Sequence, residues 1–174
     1  MTTRIAPLPA AAFAALLALA AVALRGADFG NPVIHVDEQY YLLVGQRLLH
    51  GAVPYIDIWD RKPVGLFLLY AGAAALPGDD ILGYQWLACA FAAATAWLVF
   101  DSALKVGATR AGAFTAALAY LLWLSLLGGR GGQAPVFYNL PVAAAAWLML
   151  RLPSIGTRPG AIVASGCVAC LLGG

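Results

Sequence analysis

Long stretches without charge alternate with short charged stretches along this chain. A helix rises 1.5 Å per residue and needs about 20 apolar residues to cross the hydrocarbon core of a bilayer. Because backbone polar groups in lipid must be satisfied internally, stretches of that length are expected to be helices. Six stretches lack Asp, Glu, Lys and Arg: Ile5–Leu24, Pro63–Gly78, Ile81–Phe100, Ala111–Gly129, Gly131–Leu150 and Pro159–Gly174. All except Pro63–Gly78 and Pro159–Gly174 are long enough to cross a bilayer. The pattern predicts an all-α integral membrane protein.

Composition strengthens this prediction. Hydrophobic residues make up 63% of the 174-residue chain and charged residues 10%. An ordinary soluble domain has roughly 45–50% and 25%, so the excess is too large for a soluble core of this size. The net charge of +2 is too small to indicate a nucleic-acid-binding protein.

The charges between the apolar stretches predict a topology. The predicted order is a transmembrane helix at about 8–24, an external loop at 25–62, a helix at 64–77, and spans at 81–100, 111–128, 136–150 and 160–174. Lys105, Arg110, Arg151 and Arg158 are expected to face the cytoplasm. This assignment favours a re-entrant or interfacial helix at 64–77, although a spanning helix, which would invert every later loop, stays open.

Both ends of the chain need interpretation. Arg4, the Ala/Leu run after it and Ala21-Val22-Ala23 fit an uncleaved first membrane helix, which we favour, or a cleaved signal peptide. The last apolar stretch reaches Gly174 without a charged flank. We therefore expect the chain to be the N-terminal part of a longer membrane protein, with a truncated last span.

The segment Arg25–Lys62 carries nine of the eighteen charged residues and five of the eight acids. Asp37-Glu38 precedes a helical pattern that ends at Gly51, and an acidic start with a glycine after the end marks helix boundaries. The predicted helix is short and amphipathic, as in helices that lie along a membrane surface. Alternation over Tyr55–Trp59 predicts an extended stretch after it.

Asp37 and Glu38 are the first candidates for chemistry. A positioned carboxylate is a standard general base for removing a proton from an attacking hydroxyl or amine. The alternative is that Asp37 only caps the helix, where its charge also interacts favourably with the helix dipole. The two interpretations are compatible, because a carboxylate that caps a helix is also held in a fixed position, as a general base must be.

A second candidate is the basic motif where the chain enters the membrane. Arg61 and Lys62 are well placed to bind a phosphate whose lipid tail stays in the bilayer. Asp57 and Asp60 lie in the same stretch and are possible substrate-binding residues. The alternative is that the two cations simply extend to the interface, as Lys and Arg often do.

The glycine-rich stretch Gly128–Asn139 is the third candidate. Its polar side chains either line a substrate cavity or belong to a flexible loop between helices. The residues concerned are Arg130, Gln133, Tyr138 and Asn139. The sequence has no phosphate-loop pattern, no zinc-ligand spacing and no Ser-His-Asp arrangement that would indicate a hydrolase.

Three short motifs in this order resemble a known enzyme family. The chain reads Val36-Asp37-Glu38-Gln39-Tyr40-Tyr41, then His50-Gly51-Ala52-Val53-Pro54-Tyr55, then Asp60-Arg61-Lys62-Pro63. This resembles polyprenyl-phosphate-sugar-dependent glycosyltransferases of the GT-C fold. The nearest group looks like the bacterial dolichyl-phosphate-mannose protein mannosyltransferase-like family, which includes lipid A aminoarabinose transferases and rhizobial galacturonosyltransferases. The similarity is densest over residues 35–70.

The resemblance implies an inverting transfer on the outer face of a bacterial inner membrane. Asp37, with Glu38 beside it, would be the catalytic acid pair, and Lys62 with Arg61 would bind the donor phosphate. Apart from the resemblance, Tyr41 of the predicted helix is a possible substrate-binding residue. The implied partners are a polyprenyl-phosphate sugar, membrane lipids and a glycan, lipid or protein acceptor. No cofactor is predicted, because no complete set of metal ligands is evident, although some GT-C enzymes use a divalent metal.

The chain departs from the family in one respect. A second acid in a later external loop is common in the family, whereas Gln133–Asn139 contains neither Asp nor Glu. Gln133, Tyr138 or Asn139 would have to take over its role. Two alternatives stay open: a non-catalytic membrane protein such as part of a transporter or flippase, and an inactive fragment of a glycosyltransferase.

Overall fold

A computed structural model of the protein describes residues 9–155 together with residues 160, 163 and 167. This part of the chain is helical, which confirms the predicted all-α class, and none of it forms a strand. A single 3-10 turn, Gly26–Asp28, follows the first helix. The α-helices are α1 (Ala10–Arg25), α2 (Val36–Leu49), α3 (Val64–Ala74), α4 (Asp80–Lys105), α5 (Arg110–Leu126) and α6 (Ala134–Ile155).

Two helical segments of the described chain are long and apolar enough to cross a membrane. They are Ala10–Asp28 and Asp80–Lys105, with mean hydropathies of 2.0 and 1.7. Only 17% and 33% of the residues in their most apolar stretches are buried inside the protein, so most of their apolar surface faces outward. A membrane-anchoring helix and a signal peptide both have this length and composition, so both interpretations of α1 stay predictions. The predicted span at 160–174 lies outside the described residues except at three positions.

The four long uncharged stretches coincide with α1, α4, α5 and α6. Helix α4 continues beyond Phe100 to Lys105 because polar partners on α6 meet its last turns. The Asp101 carboxylate accepts a hydrogen bond from Trp147 at 2.5 Å and forms an ion pair with Arg151. Asp101 therefore ends the uncharged stretch of the sequence but does not end helix α4.

Helix α3 has 11 residues, so it is roughly 16 Å long. That is about half of the hydrocarbon thickness of a typical bilayer. It starts directly after Pro63, whose fixed φ suits the position before a helix. A re-entrant or interfacial position for residues 64–77 stays a prediction.

The segment after α2 differs from its prediction. Residues 54–58 form a tight turn rather than an extended stretch, so the interpretation of Tyr55–Trp59 is wrong. The Tyr55 amide donates to the Ile58 carbonyl at 2.8 Å, and Tyr55 has a φ of 66°. The cause is local: the Asp57 side chain accepts a hydrogen bond from the Val53 amide at 2.7 Å, which closes the turn.

The amphipathic helix α2 packs its apolar side on α3. The rings of Tyr41 and Phe67 lie 6.1 Å apart, and those of Tyr41 and Tyr70 lie 5.6 Å apart. Tyr70 also contacts Tyr84 of α4 at 4.9 Å and Phe137 of α6 at 5.8 Å. An aromatic core therefore joins four helices beside the segment that carries half of the charged residues.

Helices α2 and α3 approach each other closely at Gly45. A Cβ added there would lie 2.7 Å from the backbone nitrogen of Ala71 and 2.9 Å from the carbonyl carbon of Tyr70. Since both contacts are with backbone, Gly45→Ala must push the helices apart. We expect a loss of about 1–3 kcal/mol in the free energy of unfolding, seen as a lower thermal midpoint in detergent.

Gly72→Ala is the matched control for this substitution. It places the same methyl group within α3, where nothing lies within 4 Å of the added Cβ. Alanine favours a helix over glycine by up to about 1 kcal/mol, so this variant should be at least as stable as wild type. Equal stability of Gly45→Ala and Gly72→Ala would contradict the close helix crossing.

Candidate functional site

Parts of all three candidate stretches meet around the first turns of α2. Glu38 contacts the loop before α6, where Gln133 donates a hydrogen bond to its Oε1 at 3.4 Å. Tyr41, one turn further along α2, lies within electrostatic range of Asp37, Asp60 and Arg61. Residues separated by more than 90 positions in sequence are therefore neighbours at this end of the protein.

Asp37 is exposed in the first turn of α2. Its Oδ2 accepts a hydrogen bond of 3.4 Å from the Tyr41 hydroxyl. The residue at the N-cap position is His35, and no side-chain capping bond is formed there. Capping by Asp37 is therefore wrong as an interpretation, although a negative charge in the first turn still interacts favourably with the helix dipole. The carboxylate is held from one side and open to solvent on the other.

Glu38, the neighbouring acid, is completely buried. Its side chain fits against Gly131, where an added Cβ would overlap both carboxylate oxygens. Gly131 also has a φ of +58°, which is the left-handed region that favours glycine. The Glu38 carboxyl group therefore lies in the protein interior.

Burial raises the pKa of Glu38 above its usual value. Hydrogen bonding from the Gly132 backbone, and the nearby Tyr84 and Gln133 side chains, partly oppose this shift. Neither Glu38 Oε2 nor the Tyr84 hydroxyl has a partner in hydrogen-bonding geometry among the described residues. The site therefore favours the neutral acid more than water does.

The basic motif has a fixed backbone and free side chains. Asp60 Oδ1 accepts from the Lys62 amide at 2.9 Å, and the Tyr55 hydroxyl donates to the Lys62 carbonyl at 2.8 Å. Arg61 is exposed and Lys62 half-buried. Neither side chain forms an ion pair or hydrogen bond with the part of the chain that the structure describes.

Tyr41 connects the acidic and the basic motif. Its pKa is raised chiefly by burial, further by the negative charges of Asp37 and Asp60, and is lowered slightly by Arg61. The hydroxyl therefore stays protonated at neutral pH and acts as a donor to Asp37. A buried donor of this kind orients the carboxylate that accepts its hydrogen bond.

The loop before α6 is fixed by its neighbours. Arg25 at the end of α1 is buried and donates to the carbonyl oxygens of Gly129, at 2.8 Å, and Gly131. The Tyr70 hydroxyl donates to the Gly132 carbonyl at 2.6 Å. Arg130 forms an ion pair with the buried Asp28, and this pairing raises the pKa of Arg130. These contacts favour a structured loop over a flexible one.

The remaining candidates lie elsewhere. Tyr138 and Asn139 line a cavity of about 360 Å³ between α5 and α6, and Asn139 donates to the Tyr120 hydroxyl at 3.4 Å. Asp57 lies in the turn after α2, on another side of that helix. Sequence reasoning missed Arg25 and Tyr84 as parts of the site. The position of Arg25 at the end of an apolar stretch is a weak sequence signal that it belongs to the site. The sequence contains no comparable signal for Tyr84.

Metal ligands do not cluster in residues 9–155: no three His, Cys, Asp or Glu side chains come together there. No protein-family model, curated protein or solved structure matches the chain. The similarity to GT-C glycosyltransferases therefore stays a prediction that rests on the quoted motifs.

The shifted pKa of Glu38 predicts a pH dependence of stability. A folded pKa above the unfolded value means that folding is most favoured while the acid is protonated, below its usual pKa of 4.5. This contribution is lost as the pH rises through the folded pKa. Glu38→Gln cannot ionise, so its thermal midpoint should rise relative to wild type over that interval.

Asp57→Asn serves as the control for the loss of one negative charge, because it removes an exposed acid of the same loop. Thermal midpoints in detergent from pH 4 to pH 9 measure both variants against wild type. A difference between Glu38→Gln and wild type that is constant with pH would show that Glu38 is not a desolvated acid.

Proposed function

We propose that this chain belongs to a GT-C-type glycosyltransferase, a multi-pass protein of the bacterial inner membrane. It transfers a sugar from a polyprenyl-phosphate donor to a lipid, polysaccharide or protein acceptor on the extracytoplasmic side. The observation that carries the proposal is the arrangement around Tyr41. The Tyr41 hydroxyl donates to the exposed carboxylate of Asp37, and the exposed cation Arg61, next to the half-buried Lys62, is close enough for its charge to act on the same hydroxyl.

The arrangement suits both halves of a displacement reaction. Asp37 accepts the proton of the acceptor hydroxyl or amine as that group attacks the anomeric carbon of the donor sugar. The bond between the anomeric carbon and the phosphate oxygen breaks, and the configuration at carbon inverts. Lys62 and Arg61 stabilise the negative charge that develops on the leaving phosphate. The Tyr41 hydroxyl orients Asp37 through its hydrogen bond.

The two adjacent acids have different roles in this proposal. Asp37 is the catalytic residue because its carboxylate is exposed. Glu38 is a positioning residue, since burial against Gly131 keeps it away from substrates. It holds the first turn of α2 against the loop before α6, and that contact fixes the direction in which Asp37 projects.

A lipid-linked donor fits the location of the basic motif. Lys62 comes directly before Pro63 and the apolar helix α3, so a phosphate held there has apolar surface beside it for a prenyl chain. Helices α1 and α4 present outward apolar surface of membrane-spanning length. A water-soluble nucleotide sugar would need neither feature.

Asp37→Asn tests the proposed base. In the full-length protein, expressed in a strain that lacks its own copy, we expect transfer to fall by about 10²–10⁴-fold, the usual contribution of a general base. Sugars on lipid A, polysaccharide and glycoproteins are measured by mass spectrometry, and the rate is measured in membranes that contain the cell's own donor.

Asp80→Asn is the matched control. Asp80 also lies in the first turn of a helix, and the substituted amide still accepts the hydrogen bond that Gln46 donates to Asp80 at 2.7 Å. This variant should keep wild-type transfer. If deletion of the gene alters a glycan and Asp37→Asn restores it fully, Asp37 is not the base.

Lys62→Met tests the phosphate site. The Lys62 charge is proposed to act mainly in the transition state. Its removal should therefore lower kcat by about 10²–10³-fold and raise the KM for the donor by a smaller factor. Lys105→Met, at the exposed end of α4, is the control for losing one lysine and should leave both constants unchanged. A rise in donor KM at unchanged kcat would instead assign Lys62 to ground-state binding alone.

A further inference from the structure

A cavity of about 430 Å³ lies between α2 and the turn that follows it. Helix α2 contributes Tyr40, Leu43 and Arg47, and the turn contributes Asp57, Ile58 and Trp59. At 3.6 residues per helical turn, the three residues from α2 share one side of the helix, and Glu38 lies on the opposite side. The cavity is thus separate from the buried contact that holds the loop before α6.

The walls of this cavity are fixed by hydrogen bonds. The Tyr40 hydroxyl donates to the Trp59 carbonyl at 2.9 Å, which ties the turn to α2. The Asp57 Oδ2 accepts from the Val53 amide at 2.7 Å, so one carboxylate oxygen is used within the turn. Hydrogen bonds within the chain therefore hold the cavity walls in place, which lowers the entropic cost of binding a ligand.

The polar groups of the cavity are left available. Arg47 and Asp57 both line it, yet they form no ion pair with each other, nor with other residues in the described ranges. The Trp59 side chain is 73% exposed although its backbone is fixed. A cation with several donors, an acceptor oxygen and an exposed tryptophan therefore line one space of molecular size.

We propose that this cavity binds a sugar ring. Sugar hydroxyls both donate and accept hydrogen bonds, so Asp57 and Arg47 suit them together, while the apolar C–H face of a pyranose fits an aromatic ring such as Trp59. Concave sites with an aromatic wall and a few placed polar groups are typical of small-molecule recognition. An anionic lipid surface would favour cations alone, whereas this cavity contains an acid as well.

The position of the cavity relates it to the proposed transfer reaction, on which this part of the inference rests. Tyr40 follows Asp37 by three residues, so the two side chains are neighbours on the helix surface, with about 5–6 Å between Cβ atoms. A sugar in the cavity lies beside the end of α2 that carries the base. The sugar belongs either to the acceptor or to the donor, and the chemistry of recognition is the same.

Photoaffinity labelling of the full-length protein in nanodiscs tests the site. The probes are a diazirine-bearing methyl glycoside of mannose, the matching farnesyl-phosphate glycoside and a diazirine phospholipid. Trypsin cuts after Arg47 and Arg61, so one peptide, residues 48–61, reports on Asp57 and Trp59. We expect labelling of this peptide that excess unlabelled glycoside suppresses. Labelling by the methyl glycoside indicates an acceptor sugar, and labelling by the farnesyl-phosphate form alone indicates the donor sugar.

Variants make the test specific. Trp59→Ala and Arg47→Ala should each reduce sugar labelling by about ten-fold or more, as expected for losing an aromatic or a charge-assisted contact. Because Arg47→Ala removes one tryptic site, its labelling is read on the longer peptide 26–61. Trp86→Ala, which removes an exposed tryptophan from α4, should leave it unchanged. Labelling by the phospholipid with none by either glycoside would overturn the proposal and assign the cavity to the membrane surface.

The two proposals fail separately. Sugar labelling that depends on Trp59, together with normal transfer by Asp37→Asn, would support the cavity and reject the proposed base. Loss of transfer in Asp37→Asn, with no sugar labelling of peptide 48–61, would keep the glycosyltransferase and reject the cavity.

Discussion

The architecture of the site depends on one buried guanidinium. Arg25 ends α1 with its side chain inside the protein, where an unsatisfied charge would be costly. The carbonyl oxygens of Gly129 and Gly131 accept its hydrogen bonds, so the loop before α6 is attached to the end of the first helix. Gly131 thereby contacts Glu38 of α2, and the next residue accepts a hydrogen bond from Tyr70 of α3. Four helices are held in place around a few backbone carbonyls.

Much of the fold follows from the chain alone. Uncharged stretches of about 20 residues predict α1, α4, α5 and α6, because helix length and apolar composition are local properties. The start of α2 is also local, since Asp37 and Glu38 mark it and Gly51 follows its end. The turn at residues 54–58 was mistaken for an extended stretch because alternation does not reveal that Asp57 bonds back to the Val53 amide.

The site is less predictable, and the two adjacent acids show why. Successive residues on a helix point about 100° apart, so Asp37 and Glu38 had to differ in environment. Which of them faces the interior depends on Gly131 and Gln133, more than 90 residues later in the chain. Likewise, the partners of Arg25 are backbone carbonyls, which leave no trace in side-chain identity.

The short length of α2 explains why glycine is needed at its contacts. An isolated helix of 14 residues is marginal in water, so its position must come from packing. Gly45 allows the backbone of α3 to approach on one side, and Gly131 allows the buried carboxyl of Glu38 to enter the loop contact near the start of the helix. With those contacts made on its buried side, the opposite side of α2 is free to face outward. Asp37 at its start and the Arg47 side of the helix are thus exposed on a fixed element, which is the condition that both proposed binding events require.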